Sequence, residues 1–255
     1  RAMTLTTASL LNQNGLLFSG GDMSLRVERL KNLGADIYAM GNLSIDRDGK
    51  GALATSIINS SSSIQSDGSL SLAAGTIQNI RTVLTSESGI YSASISPVQC
   101  IENVNGGDCD GGKENRPFLI AQRDRLRVTD ASAASSITSG ANLLLVGGDV
   151  LNSSSSIAAA GSLTARVNQL TNIGLETHDT LTERVFSSER TRHPEGYNRA
   201  AAQFTQRYSM GGAAYDPNNL GGLEAAMAGF IGGMERQWGD TKTTQLATPD
   251  QRYAA

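Results

Sequence analysis

Aromatic residues make up only 5% of this 255-residue chain, and charged residues 18%, against roughly 25% charged in ordinary soluble domains. So few aromatics argue against a conventional globular core, and so few charges against a long helical rod or a disordered charged linker. Two cysteines are too few for a disulfide-framework miniprotein or a four-cysteine zinc module. No run of about 18 apolar residues occurs, so no transmembrane helix is expected. The first residues have neither a basic n-region nor an apolar h-region, so they do not read as a signal peptide. Twenty-four acids against 21 bases leave a net charge of −3, which speaks against a polybasic nucleic-acid binder. GxSxG, HExxH, phosphate-loop and dinucleotide fingerprints are all missing, so no catalytic residues, no cofactor and no metal are expected.

What the sequence has is a repeat. Leu11-Asn12, Ile58-Asn59 and Leu151-Asn152 each open a segment that closes on another asparagine 20 positions later, at Asn32, Asn79 and Asn172. The positions between them fall in register. Five residues past the first asparagine stand Leu17, Ile64 and Ile157; nine past it, Gly21, Gly68 and Gly161; eleven past it, Met23, Leu70 and Leu163. Asn32 is followed in the same frame by Ile37, Gly41, Leu43 and Ile45, and Ser132 by Ile137, Leu143, Leu145 and Val150. Pairs such as Leu70 and Leu72 alternate with polar residues, the period-2 mark of a half-buried strand.

Three short strands per 20 residues cannot bury a face alone, but stacked on one another they form a continuous apolar column. The expected fold is therefore all-β with minor α: a right-handed parallel β-helix with an extra-helical insertion and a short helical C-terminal segment. Asn12, Asn32, Asn59, Asn79, Asn152 and Asn172 are expected to stack as a ladder at turns that visit the left-handed region.

Breaks in the frame predict the domain plan. Seven extra residues between Asn32 and Asn59 place a loop at Asp46–Ala52, and 53 residues separate Asn79 from Ser132, enough for one repeat plus 33. The repeat is assigned to residues 1–175, with an insertion at about 97–127. Residues 176–255 are expected to be a non-repeat, partly helical segment packed on the repeat. Its best helix candidate is Leu220–Trp238, capped by Asn218 or Asn219, with a second at Gly196–Tyr208.

The units Asn59–Asn79 and Asn152–Asn172 resemble the haemagglutinin repeats of filamentous haemagglutinin-type exoproteins. These are bacterial passengers of two-partner secretion and include the CdiA-like effectors of contact-dependent growth inhibition. The resemblance covers about two thirds of the chain by repeat. It implies a secreted protein displayed on the bacterial cell surface, where a non-catalytic filament segment serves as stalk and adhesive, receptor-binding region. The implied partners are an outer-membrane protein or lipopolysaccharide of a target bacterium and, for the parent protein, an outer-membrane transporter; nucleic acid is not among them. In that family the toxin is a separate module set off by a Val-Glu-Asn-Asn motif. The nearest string here, Ile101-Glu102-Asn103-Val104-Asn105, differs, so an interior segment without toxin is expected. The alternative is a carbohydrate-active enzyme, since β-helices also carry polysaccharide lyases and glycosidases.

Candidate sites are few. Cys100 and Cys109 enclose an eight-residue loop and are expected to form a disulfide in an exported protein; a pair of free thiols is the alternative. Arg123, Arg125 and Arg127 alternate along a predicted strand, pointing three guanidiniums to one side. Such a row could grip phosphate or carboxylate groups, but an edge strand blunted by charge is the favoured reading. Tyr197 and Tyr208, expected exposed or half-buried, complete the candidate receptor contacts.

Overall fold

The computed structural model describes residues 1–98 and 115–254; Cys100 and Cys109 lie outside them. Strand accounts for 57% of the described residues and helix for 11%, so the fold is all-β with minor α, as expected. Two compact units emerge. The first comprises residues 1–85, 128–176 and 250–255, and the second residues 86–127 and 177–249.

In the first unit long and short strands alternate: β1 (Met3–Gln13), β2 (Leu16–Ser19), β3 (Met23–Leu33), β4 (Asp36–Ala39), β5 (Leu43–Asp46), β6 (Ala54–Ser60), β7 (Ser63–Ser66) and β8 (Leu70–Ile80). After β9 (Leu84–Pro97) and β10 (Pro117–Ala131), the alternation resumes with β11 (Ser136–Ser139), β12 (Leu143–Ser153), β13 (Ser156–Ala159) and β14 (Leu163–Ile173). The long strands form one sheet in the order β1-β3-β5-β8-β12-β14, with β6 pairing β3 and β8; the short strands form a second, ordered β13-β11-β7-β4-β2. Every pairing in both sheets is parallel, and the repeat frame sets the register, as in Asn12↔Asn32 and Ile137↔Ile157.

Two strands per repeat, not three, is the first correction. Inward positions run Met23, Leu25, Val27 and then Leu30, Asn32, so the period-2 phase shifts once inside β3. The two segments expected as separate strands are thus one 11-residue strand with a mid-strand change of facing. Met23, Leu43, Leu70 and Leu143 then stack at 1–2% exposure, as do Leu25, Ile45, Leu72 and Leu145 at 0%. Each such side chain contributes roughly 1.5–3 kcal/mol by leaving water.

The left-handed turn residues are the second correction. They are not the ladder asparagines, which sit in strands, but residues two positions later: Asn14, Gly34, Ser61 and Ser154, with φ of 52°, 55°, 49° and 44°. Short polar side chains and glycine tolerate this region best.

The seven extra residues fall between β5 and β6, at the change of facing. Asp46 anchors this loop by accepting hydrogen bonds from the backbone N–H groups of Asp48, Gly49 and Gly51, while Asp48 accepts from Lys50 and Ala52. These last two bonds hold the Asp48 carboxyl below its ordinary pKa. Among the described residues, the 53-residue stretch from Asn79 to Ser132 adds no further repeat strand to either parallel sheet, contrary to expectation. β8 pairs directly with β12, Asn79 opposite Asn152, because β9 and β10 satisfy their ladders in another sheet.

That sheet, ordered β16-β15-β10-β9, forms the second unit with β15 (His178–Ser187), β16 (Arg236–Gln245) and the helices α1 (Glu195–Tyr208) and α2 (Leu223–Gly232). β10 and β16 both run antiparallel to β15. Its core joins Ala93, Ile95, Phe118 and Ile120 of the sheet to Ala201, Phe204, Leu223 and Met227 of the helices. Phe118 meets Phe230 edge-on at 5.3 Å. Thr205 Oγ1 clamps the backbone of Ile95, accepting from its N–H and donating to its carbonyl, both at 2.8 Å. The apolar helix face therefore finds its partner in this antiparallel sheet.

α2 is shorter than the Leu220–Trp238 expectation, because Gly232 and Gly233 end it and Trp238 belongs to β16. Its N-cap is Gly222, at φ 88°, rather than Asn218 or Asn219. The 3-10 turn at Gln251–Tyr253 returns to the first unit. There Arg81 donates to the Arg252 carbonyl, and the Tyr253 carbonyl accepts from Leu175 N–H and Ser154 Oγ.

Candidate functional site

The asparagine ladder is assembled as the spacing requires. Nδ2 of Asn12 donates to Oδ1 of Asn32, Asn32 to Asn59, Asn59 to Asn79, Asn79 to Asn152, and Asn152 to Asn172, all within 2.7–2.9 Å. The spare amide protons go to backbone carbonyls: Asn59 also donates to the carbonyls of Ser62 and Ser136. Asn32, Asn59 and Asn79 are fully buried. Amides in such a place must be satisfied, and the strand spacing alone brings each within reach of the next. The ladder is structural.

The arginine row is the second constellation. β10 lies between β9 and β15, so it is an interior strand and not a charged edge. Arg123, Arg125 and Arg127 occupy alternate positions along it. Each meets an acid brought by a neighbouring strand. Arg123 donates to Asp179 of β15 at 3.2 Å, and Arg127 Nε donates to Glu87 of β9. Arg125 Nη2 stands 3.8 Å from the same Glu87. Between them lies Tyr91 of β9, whose ring centroid is 5.0 Å from the Arg123 guanidinium and 4.4 Å from that of Arg125. Its hydroxyl donates to Asp179 at 2.8 Å. Burial and this bond to a carboxylate raise the Tyr91 pKa above 10.0, with the two arginines opposing. Tyr215 donates to the Tyr91 carbonyl at 2.8 Å, holding that stretch of β9.

Among protein-family models, curated proteins and solved structures, nothing matches this chain. Its chemistry must be read from its own geometry.

That geometry is a cation-rich surface: three guanidiniums face two carboxylates across a tyrosine ring. It suits recognition of anions by charge-assisted hydrogen bonds. The two tyrosines named with the row lie elsewhere. Tyr197 is half-buried beside Phe118, with its hydroxyl on Glu189. Tyr208 is a core ring, 5% exposed and 4.9 Å from Phe204, because it closes the inward face of α1. Glu87, Tyr91 and Asp179 were not foreseen. No local signal marks them, since strands 56 and 88 residues apart supply the partners. Among the described residues, no three His, Cys, Asp or Glu side chains are grouped to hold a metal ion.

Proposed function

We propose that the two parallel sheets are walls of a right-handed parallel β-helix, and that the chain is a non-catalytic segment of a secreted bacterial surface filament. On this reading the first unit is stalk. The second supplies the adhesive, receptor-binding surface, with an outer-membrane protein or lipopolysaccharide of a target bacterium as partner. The observation that carries it is the asparagine ladder running through six strands at one frame position. A stack of this kind adds length without a new fold, since each repeat contacts only its neighbours. The arginine face supports the contact role: three guanidiniums stand there against Glu87 and Asp179, backed by the Tyr91 ring.

The test uses the full chain on beads with outer-membrane vesicles from candidate target bacteria. Saturable capture, competed by soluble chain, is expected. Capture by none of them overturns the contact role. Release of new reducing ends from surface polysaccharides by the chain overturns the non-catalytic one.

A further inference from the structure

The three arginines are not equivalent. Asp179 lies directly across from Arg125 in the β10–β15 register, yet its carboxylate goes to the diagonal Arg123 and to the Tyr91 hydroxyl. Glu87 is engaged by Arg127. Arg125 is left with one carboxylate oxygen at 3.8 Å, beyond hydrogen-bond reach. No acceptor bonds it among the described residues, and its nitrogens are open to solvent.

Its position is nonetheless fixed. The guanidinium rests on the Tyr91 ring at 4.4 Å, and that ring is pinned by its own hydroxyl at Asp179. A long flexible side chain has thus already lost freedom while its donors remain unused. Such preorganisation lowers the entropic cost of binding. A guanidinium presents parallel N–H pairs that match two oxygens of a carboxylate or phosphate.

We propose that Arg125 is an anion-reading residue, taking the carboxylate or phosphate group of an acidic saccharide in a two-point hydrogen bond while Arg123 and Arg127 offset the charges of Asp179 and Glu87 beside it. Tyr91 is a positioning residue that keeps the fork flat. This rests on the reading of the second unit as a contact surface and names the chemistry it contacts. A saccharide is favoured over nucleic acid because the whole chain is acidic, at −3, and would repel an extended phosphate backbone beyond this one patch.

Calorimetric titration of the full chain decides it, with trigalacturonate, glucose 6-phosphate, inorganic phosphate and neutral maltotriose as probes. At least one acidic saccharide should bind saturably and maltotriose should not. Binding of trigalacturonate alone identifies carboxylated sugars, and of glucose 6-phosphate beyond inorganic phosphate, phosphorylated ones. Arg125→Gln should weaken the acidic probe at least tenfold with an unchanged melting temperature. Arg125→Lys should fall between, because it keeps the charge and loses the fork. Arg166→Gln, on β14 of the first unit, should change nothing. Unchanged affinity in Arg125→Gln, equal binding of maltotriose, or tighter binding of a mixed-sequence DNA oligonucleotide overturns the proposal. Vesicle capture that survives Arg125→Gln while saccharide binding is lost leaves the site intact and separates it from the contact role.

Discussion

Asn59 and Asn79, 20 residues apart in the chain, are joined by a 2.8 Å hydrogen bond between Nδ2 and Oδ1, with both side chains fully shielded from solvent. Asn59 is also an acceptor for Asn32 and a donor to two backbone carbonyls. Asn59→Ala would strand several buried groups at ~1–3 kcal/mol each, for a total loss of about 3–5 kcal/mol. Asn12→Ala, at the first strand and with two donated bonds, should cost clearly less. Urea denaturation of the two variants measures the difference.

Leu72 is completely buried in the apolar column between Ile45 and Leu145. Leu72→Ala should lose about 2–5 kcal/mol by the same assay. Leu72→Asp should abolish folding of the first unit, because an unpaired carboxylate there has no partner. A soluble, fully folded Leu72→Asp protein would contradict the assignment of this column.

Gly147 has φ +139°, and a Cβ built on it falls 1.8 Å from the Ala74 carbonyl oxygen of the neighbouring strand. Gly147→Ala is expected to cost more than about 3 kcal/mol or to prevent folding. Gly51 also has positive φ but nothing within 4 Å, so Gly51→Ala should cost only ~1–2 kcal/mol. Comparing expression and melting of the two separates steric conflict from backbone preference.

Tyr91 carries a pH prediction. Its folded pKa lies above its ordinary 10.0, so the folded state holds the proton more tightly than the unfolded chain. The stability from this is fully present below pH 10 and is lost as pH rises through the folded pKa. Denaturation midpoints should therefore fall across that alkaline range, and Tyr91→Phe should flatten the fall. A residual slope should remain, since Tyr38 and Tyr197 are also raised.

Phe118 is fully buried at the centre of the second core, and Trp238, the only tryptophan, stands on β16 of the same unit. Phe118→Ala should lower the fluorescence-detected midpoint by an amount equivalent to about 3–5 kcal/mol. An unchanged Trp238 transition would show that the ring does not hold this unit together.

The first unit was legible because its information is local and repeated. Leu70, Leu72, Ile77 and Asn79 recur in one frame, and a parallel stack pairs each residue with its own counterpart. The merging of two strands into one was not legible, because a change of facing inside a continuous strand leaves the same pattern of apolar residues as a turn. The second unit was largely hidden. Phe118 on β10, Phe186 on β15 and Phe204 on α1 meet across wide sequence separations, and no period links them. The same holds for Arg123 and Asp179: the row of cations can be read along one strand, but the acids that engage it arrive from two others.

The loop between Asp46 and Ala54 shows where such a protein can change length. The strand before it pairs β3 with a 20-residue offset and the strand after it with a 27-residue offset, yet both halves sit correctly on β3 and the ladder runs on undisturbed. A gene encoding this stack can therefore gain or lose codons at the seam without shifting any downstream side chain from inside to outside. A one-residue insertion inside a long strand would instead turn the residues after it in that strand to the other face. Evolution of these repeats is thus channelled by geometry: novelty enters at the joints, while the interior of each strand is held to a fixed count.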